Sequence, residues 1–290
     1  MAALSIPLAR TGVLRCRGRD LEYGKRTLVM GIVNVTPDSF SGDGLDRRID
    51  LAVAQASRMV ADGADLIDVG GESTNPRARP VEDSEERARV VPTVAALVAA
   101  LTVPISVDTR KSGVAEAALS AGAHLINDVT GLRDDPGLAV VAARHGAPII
   151  LMHSPGEAWD VKWPAAYSDV VAEVRDFLAR SIGRATGAGV PFDQIVVDPG
   201  FGFGKSDRDN LEILRRLGEF RELGTPVLIG TSRKSTLGRL LGLPVEERLE
   251  ASLATLPLAV AQGADVVRVH DVRQSSQVVR VADAIVRGRA

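Results

Sequence analysis

Eight short runs of aliphatic and β-branched residues recur along the chain, each followed closely by a polar residue or a glycine. They read as strands at Leu28–Val33, Asp65–Val69, Val103–Val107, His124–Asn127, Pro148–Leu151, Gln194–Val197, Pro226–Ile229 and Asp265–Val269. Between them lie Ala-, Leu- and Glu-rich segments with helical spacing: Asp50–Asp62, Ser84–Leu101, Gly113–Ala121, Pro136–Arg144, Ser168–Ala188, Asn210–Phe220, Glu246–Gln262 and Ser275–Arg287. Uniformly apolar strands alternating with helices predict parallel strands covered on their outer face. Eight such units across 290 residues match an α/β fold of one (β/α)8 TIM barrel. An open doubly wound sheet is the alternative. The barrel is favoured because no linker divides the chain and no glycine-rich dinucleotide fingerprint follows the first strand. A strand pair over Val13–Leu28 precedes it, so residues 1–27 are expected to form an N-terminal β-hairpin capping a barrel domain of residues 28–290.

Four helices end in a repeated tag: Asp62-Gly63-Ala64-Asp65, Ala121-Gly122-Ala123-His124, His145-Gly146-Ala147-Pro148 and Gln262-Gly263-Ala264-Asp265. The glycine suits a left-handed helix C-cap, so each tag marks where a helix stops and an inner strand begins. The uncharged stretch Val90–Val107 is interrupted by Pro92 and Pro104, and reads as a helix followed by a buried strand, not as a membrane span. Arg10, Arg15, Arg17 and Arg19, with no acid before Asp20, have a weakly transit-like look, but a strand pair accounts for this segment better.

Composition narrows the partners. Hydrophobic content of 45% and charged content of 25% are globular values. Aromatics make up only 3%, which disfavours a single-strand nucleic-acid binder built on stacking platforms. A net charge of −2 gives no general attraction for nucleic acid or an anionic membrane, so any anion site must be local. Cys16 is the only cysteine, which excludes an intrachain disulfide and fits a reducing compartment; cytoplasm is the expectation.

In a barrel the active site lies at the C-terminal strand ends. Read in order, these carry Asn34, Gly70-Gly71-Glu72-Ser73-Thr74, Asp108, Asn127, Met152-His153, Asp198, Thr231 to Ser235, and Arg268-Val269-His270. Any one of them could be a turn former or helix cap. Asp108, Asn127 and Asp198 together would converge on one small volume, where two carboxylates and an amide are costly without a ligand. They suit a flat heterocycle with an amidine-like edge, such as guanine or pterin. Lys234, Arg268 and His270, with Asn34 and Thr74 as neutral donors, suit a phosphate or diphosphate. Lysine is rare, and Lys111, Lys205 and Lys234 all lie just beyond strand ends, a hint that compact ammonium groups are wanted there.

Other features carry less. Gly200-Phe201-Gly202-Phe203-Gly204-Lys205-Ser206 looks like a phosphate loop, but the pattern requires glycine where Pro199 stands. Its glycines read better as letting the loop fold close over a ligand, with Phe203 as an apolar wall. His124, His145, His153 and His270 have no metal-ligand spacing. Trp159 and Trp163 read as loop packing.

The strand-end motifs Gly31-Ile32-Val33-Asn34-Val35-Thr36-Pro37-Asp38-Ser39-Phe40, Gly70-Gly71-Glu72-Ser73-Thr74, Ser106-Val107-Asp108-Thr109, Asn127-Asp128, Asp198-Pro199-Gly200-Phe201-Gly202-Phe203, Ser232-Arg233-Lys234-Ser235 and Arg268-Val269-His270-Asp271-Val272 resemble those of the dihydropteroate synthases. The resemblance runs in order from about residue 28 to 275 and covers seven of the eight strand ends. It implies condensation of 6-hydroxymethyl-7,8-dihydropterin diphosphate with 4-aminobenzoate, giving 7,8-dihydropteroate and diphosphate in folate biosynthesis. It also implies a pterin edge held by Asp108, Asn127 and Asp198 with Met152 and Lys234, and Arg268 stacked on the ring. Asn34, Thr74, Arg268 and His270 would bind the diphosphate, and Asn34 would also contact Mg²⁺. Thr74, Pro76, Phe203, Lys234 and Ser235 would form the 4-aminobenzoate pocket with two loops, Thr36–Gly44 and Ser73–Pro80. Asp108, Asp198, Lys234, Arg268 and His270 would carry the catalysis, and a homodimer is implied.

The implied chemistry needs no covalent nucleophile, because the ring can delocalise the cation left when diphosphate departs. Where many members read Arg-Pro-Gly after Ser73-Thr74, this chain reads Asn75-Pro76-Arg77, which puts the loop geometry and aminobenzoate contacts in question. Two other readings share the pterin-edge residues: a pterin-binding methyltransferase domain acting with a corrinoid protein, and an inactive pterin-binding subunit. The first would not need the Thr36–Phe40 loop, Ser232–Ser235 or the Arg268/His270 pair; the second would bind without turnover.

Overall fold

The computed structural model describes residues 10–35, 45–72, 80–156 and 165–288, apart from the side chains of 45–48. A two-stranded antiparallel hairpin, β1 (Gly12–Leu14) and β2 (Leu21–Tyr23), precedes eight parallel strands. These are β3 (Leu28–Asn34), β4 (Leu66–Gly70), β5 (Ile105–Asp108), β6 (Leu125–Asp128), β7 (Ile149–Met152), β8 (Ile195–Asp198), β9 (Leu228–Ile229) and β10 (Val266–Val269). All eight expected strands are present within two residues of their expected bounds. Their order, β8-β7-β6-β5-β4-β3-β10-β9, is that of a barrel. A parallel bridge between Val197 and Val227, with Val197 N–H donating to the Pro226 carbonyl at 3.0 Å, brings the two ends together and all but closes it. The open-sheet alternative is thereby overturned.

The helices are α1 (Leu45–Ala61), α2 (Asp83–Ala100), α3 (Ser112–Ser120), α4 (Gly137–His145), α5 (Val170–Gly187), α6 (Asp207–Arg215), α7 (Ser235–Leu241), α8 (Leu249–Ala261) and α9 (Val272–Arg287). Val90–Val107 is the end of α2 and the start of β5, and no described helix is long and apolar enough to cross a membrane. All four tag glycines have positive φ, and the alanine after each donates back five residues, as Ala64 N–H does to Met59 O at 2.9 Å; this is the Schellman pattern. Two segments differ from expectation. Helix α6 gives way to a 3-10 turn at Leu217–Leu223, beginning beside Gly218, where a continuous helix was expected. Helix α7 was not expected, because Gly238 sits in the middle of seven residues. That glycine is a packing residue: a Cβ there would lie 2.2 Å from Arg248 Nε.

Side-chain alternation divides each strand between two cores. Val29, Val33, Ile67, Val69, Ile105, Val107, Ile149, Val197, Val267 and Val269 face out and pack under the helices. Leu28, Leu66, Leu125, Ile150, Val196, Leu228 and Val266, near the strand starts, face in and fill the lower barrel with Leu14, Cys16, Leu21 and Tyr23 of the hairpin. Gln194 fastens the hairpin from the β8 side, its amide donating to Val13 O at 3.2 Å and accepting from Arg15 N–H at 2.7 Å. The transit-like arginines have structural work: Arg19 donates to Val98 O in the last turn of α2 and to Val103 O ahead of β5, and Arg17 to Leu119 O in the last turn of α3 and to Ala123 O ahead of β6, so each pins a helix end to the strand that follows. With the lower barrel filled by hydrocarbon, inward-facing polar groups gather at the opposite, C-terminal mouth.

Candidate active site

Strand register sets the upper inward layer. Asn34, Gly70, Asp108 and Asn127 are consecutive partners across β3 to β6, and Met152 pairs with Asp198 across β7 and β8. One layer deeper, Asp68 pairs with Ser106. Arg268 rises from β10, on the far side of β3 from β4, in register with Met30 of β3. Its Nε donates to Asp68 Oδ2 and its Nη2 to Asp108 Oδ2, both at 2.7 Å, and Asn127 Nδ2 donates to the same Asp68 Oδ2 at 2.9 Å. Asp108, Asn127 and Arg268 therefore form one linked set, whereas the sequence grouped Asp108 and Asn127 with Asp198, and the residue that links them was missed. Asp68 is completely buried. Its signal was available: position 68 shares the inward parity of Leu66 in Asp65-Leu66-Ile67-Asp68-Val69-Gly70, and a carboxylate at such a position requires a partner.

The loop after β8 supplies the facing wall. Asp198 Oδ1 accepts from Gly200 N–H at 2.7 Å, which turns the chain sharply beyond the strand. Lys205 is fully buried and donates to Gly200 O at 2.9 Å, Phe203 O at 3.0 Å and His153 O at 3.3 Å. Asn210 completes the frame, accepting from Gly202 N–H at 2.7 Å and donating to Thr236 Oγ1 at 2.9 Å. This folds the loop so that Lys234 lies over it: the ammonium is 3.8 Å from the Phe203 ring centroid, and a Cβ on Gly202 would stand 2.8 Å from Lys234 Cδ. Lys234 is aimed by its neighbour. Arg233 takes a left-handed φ of 57°, held by its guanidinium on Asp271, its N–H on Ser252 Oγ at 2.8 Å and its carbonyl on Arg248 Nη1 at 3.1 Å. A non-glycine residue in that conformation is strained unless its surroundings fix it.

Of the three strand-end lysines, only Lys234 belongs to the mouth. Lys111 pairs with Glu72 at 2.8 Å and with buried Glu86, fastening the loop after β4, and Lys205 is loop scaffolding. Phe201 turns away into the outer core. Asp128, next to Asn127, faces out and organises its own turn, accepting from Thr130 N–H at 2.8 Å and Leu132 N–H at 2.6 Å. Ser235 is exposed at the first residue of α7, and Asn34 is exposed at the end of β3. Thr74, Pro76, Trp159, Trp163 and the loops Thr36–Gly44 and Ser73–Arg79 lie outside the described residues.

Burial governs the charges. It pushes Asp108 up to about 7 against the pull of Arg268, helped by the like charges of Asp68, Glu86 and Asp128. It pushes Asp198 up to about 6, against the Gly200 N–H and the cations Lys234, Lys205 and Arg268. Lys234 falls to about 8, through burial and Arg268, with Asp198 and Asp108 opposing. The mouth thus holds groups poised near neutrality, whose protonation a ligand can reset. His270 corrects the expectation of a third cation. Burial, then Arg268 and Arg233, lower it to about 4, so it is neutral at pH 7. Ser232 Oγ accepts from His270 N–H at 3.2 Å and stands 3.0 Å from His270 Nδ1. The Ser232 hydroxyl thus holds both the backbone and the ring of His270, the direction of the ring contact following the tautomer.

The sequence matches the pterin binding enzyme family over residues 30–270. The dihydropteroate synthase of Bacillus subtilis is 45% identical over 276 residues, 95% of this chain and 94% of its own. That of Escherichia coli is 44% identical over 256 residues, 88% of this chain and 90% of its own. Among solved structures, Xanthomonas albilineans dihydropteroate synthase with 4-aminobenzoic acid superposes with a TM-score of 0.89 at 45% identity, covering 95% of this chain and 98% of that one. The same enzyme in complex with 7,8-dihydropteroate gives 0.84 at 44% identity over 94% and 98%. A barrel whose mouth joins two carboxylates and an amide to an arginine, at this identity over nearly the whole chain, places the protein in the dihydropteroate synthase family of pterin-binding enzymes.

Proposed function

We propose that the chain condenses 6-hydroxymethyl-7,8-dihydropterin diphosphate with 4-aminobenzoate to give 7,8-dihydropteroate and diphosphate, a step of folate biosynthesis. The observation that carries this is the linked set of Asp108, Asn127 and Arg268 facing Asp198 and Lys234 at the mouth. Asp108, Asn127 and Asp198 would receive the amidine-like edge of the pterin. Donation from ring N–H and exocyclic amine favours the ionised carboxylate, offsetting the burial that raises both acids. Met152 and the Arg268 guanidinium would flank the ring, and Lys234 would reach its polar edge.

Breaking the bond between methylene carbon and diphosphate oxygen leaves the electron pair on diphosphate and a cation on the carbon, which the ring delocalises. Asp108 and Asp198 would stabilise the positive charge through fixed electrostatics. Arg268, His270, Asn34 and Thr74 would hold the departing anion. The amine of 4-aminobenzoate then forms the carbon–nitrogen bond and passes its surplus proton to the departed diphosphate, from a pocket bounded by Phe203, Lys234, Ser235, Thr74 and Pro76.

The donor set also fits Mg²⁺, the cofactor the family implies, on a definite condition. A Cβ on Gly70 would lie 3.6 Å from Asp108 Oδ2 and 3.7 Å from Asn34 Oδ1, so two oxygens border one glycine-lined notch. The described residues contain no cluster of three or more metal-ligating side chains. Such a site suits an ion carried largely by water and substrate phosphate, with Asn34 supplying a protein oxygen. When bound, Mg²⁺ would neutralise charge on the diphosphate and ease its departure.

A homodimer is part of this reading. It is supported by apolar side chains left exposed on α7 (Leu240, Leu241), α8 (Leu258) and α9 (Val281, Ile285). The buried thiol Cys16 suits the reducing cytoplasm.

The test is turnover in a coupled diphosphate-release assay. The wild type should form 7,8-dihydropteroate, and Lys234→Ala and Asp198→Asn should each lose at least about 100-fold in kcat with unchanged circular dichroism. Near-normal turnover in either variant would overturn the assignment of roles, and an inert wild type would overturn the function.

A further inference from the structure

We propose that Asp68 is the positioning residue of this site: it keeps Arg268 and Asn127 in their binding orientations while Asp108, above it, exchanges its hold on Arg268 for the ligand. The proposal rests on the pterin reading above and assigns a division of labour within it.

Depth separates the two carboxylates. Asp68 lies two residues below Gly70 on β4, and Gly70 is the partner of Asp108. Asp68 has no accessible surface, whereas Asp108 retains 8%. A ligand arriving from the mouth therefore meets Asp108 and not Asp68. The two also differ in what would replace a lost partner. Asp68 Oδ2 carries both bonds, from Arg268 and Asn127, and Asp68 Oδ1 is buried without a hydrogen-bond partner. Pulling Arg268 away would leave a fully buried carboxylate without its counter-ion, which is strongly unfavourable. Asp108 can give up Nη2 at less cost, because ring N–H donors would take its place.

Each bond to Asp68 also fixes an orientation. Bonding at Nε holds the guanidinium near its root, which sets its plane while releasing Nη2 and one face to the ligand. An ionised carboxylate only accepts, so Asn127 must turn its NH₂ toward Asp68. Its carbonyl oxygen is thereby directed elsewhere, as an acceptor for a donor on the heterocycle. Asp68 thus determines which way the amide reads the ring without touching it.

The test uses Asp68→Asn, which preserves volume and removes the obligate acceptor, and Asp68→Ala. Titration calorimetry with 6-hydroxymethylpterin, an unreactive probe, should show affinity about 10-fold weaker for Asn, the worth of one well-placed hydrogen bond, and about 100-fold weaker for Ala. In steady-state assays kcat/KM for the pterin diphosphate should fall in parallel, while KM for 4-aminobenzoate at saturating pterin stays within about twofold. The effect of Asp68→Asn should shrink in an Asn127→Ala background, because part of it acts through that amide. Wild-type pterin affinity in folded Asp68→Asn would overturn the proposal, as would equal damage to both substrates or losses that simply multiply in the double variant. Wild-type enzyme run alongside separates the two levels: its inactivity would overturn the function, not the role of Asp68. Should Asp68→Ala fail to fold, Asp68→Asn still decides.

Discussion

Arg268 shows why a single side chain at this mouth is not exchangeable for another of the same charge. Its fork gives Nε to Asp68 and Nη2 to Asp108, while its plane remains available to lie against a flat ring. Lysine offers one ammonium and no face. Arg268→Lys should therefore lower kcat/KM for the pterin diphosphate by about 100-fold, with KM for 4-aminobenzoate little changed, in two-substrate kinetics. A loss under about threefold would show that the planar fork is not what matters. The residues at this scale were largely legible before the fold was known, because a polar residue at the end of an apolar strand is conspicuous. Asp68 was overlooked because it sits in mid-strand: its inward parity marks a carboxylate that needs a partner, but which partner depends on the neighbouring strands. The neutral state of His270 was equally hidden, being set by burial and by arginines from two different segments.

At the scale of elements, the loop after β8 depends on a buried lysine. Lys205 donates to two carbonyls of its own loop and to that of His153 beyond β7, and burial lowers it to about 7, with Lys234 adding to the fall and Asp198 and Asp209 opposing. The unfolded chain keeps this ammonium charged up to about 10. Between those values the unfolded state binds more protons than the folded one, so stability associated with Lys205 rises with pH across that window and is reduced as pH falls through it. Denaturant unfolding from pH 7 to 9.5 should show this rise in the wild type and a smaller one in Lys205→Met. The variant should also lose about 1–3 kcal/mol by leaving carbonyls without a donor. The rarity of lysine correctly singled out position 205 but misjudged its purpose: an ammonium needed for scaffolding and one needed for a ligand look the same in a sequence. Helix α7 was missed for a related reason, since Gly238 weakens the local helical signal yet is demanded by the approach of Arg248.

For the molecule as a whole, one end of the barrel is sealed and the other is left to chemistry. Leu14, Cys16, Leu21 and Tyr23 close the lower end against the inward-facing starts of the strands, about 1.5–3 kcal/mol for each large apolar side chain fully buried. Leu14→Ala should cost about 2–5 kcal/mol in urea unfolding while leaving KM for both substrates unchanged, because the cavity opens at the end remote from the mouth. A shift in either KM would show that the two ends are coupled. The sequence by itself determined the eightfold alternation, the strand positions, the helix stops and most of the residues at the mouth, because apolar periodicity and glycine caps act over a few neighbouring residues. Only the tertiary structure decided that β8 and β9 meet, that Arg268 of β10 is shared between Asp68 of β4 and Asp108 of β5, and which lysine lies at the mouth. Those outcomes depend on groups far apart in the chain whose burial and charge exist only once the barrel has closed around them.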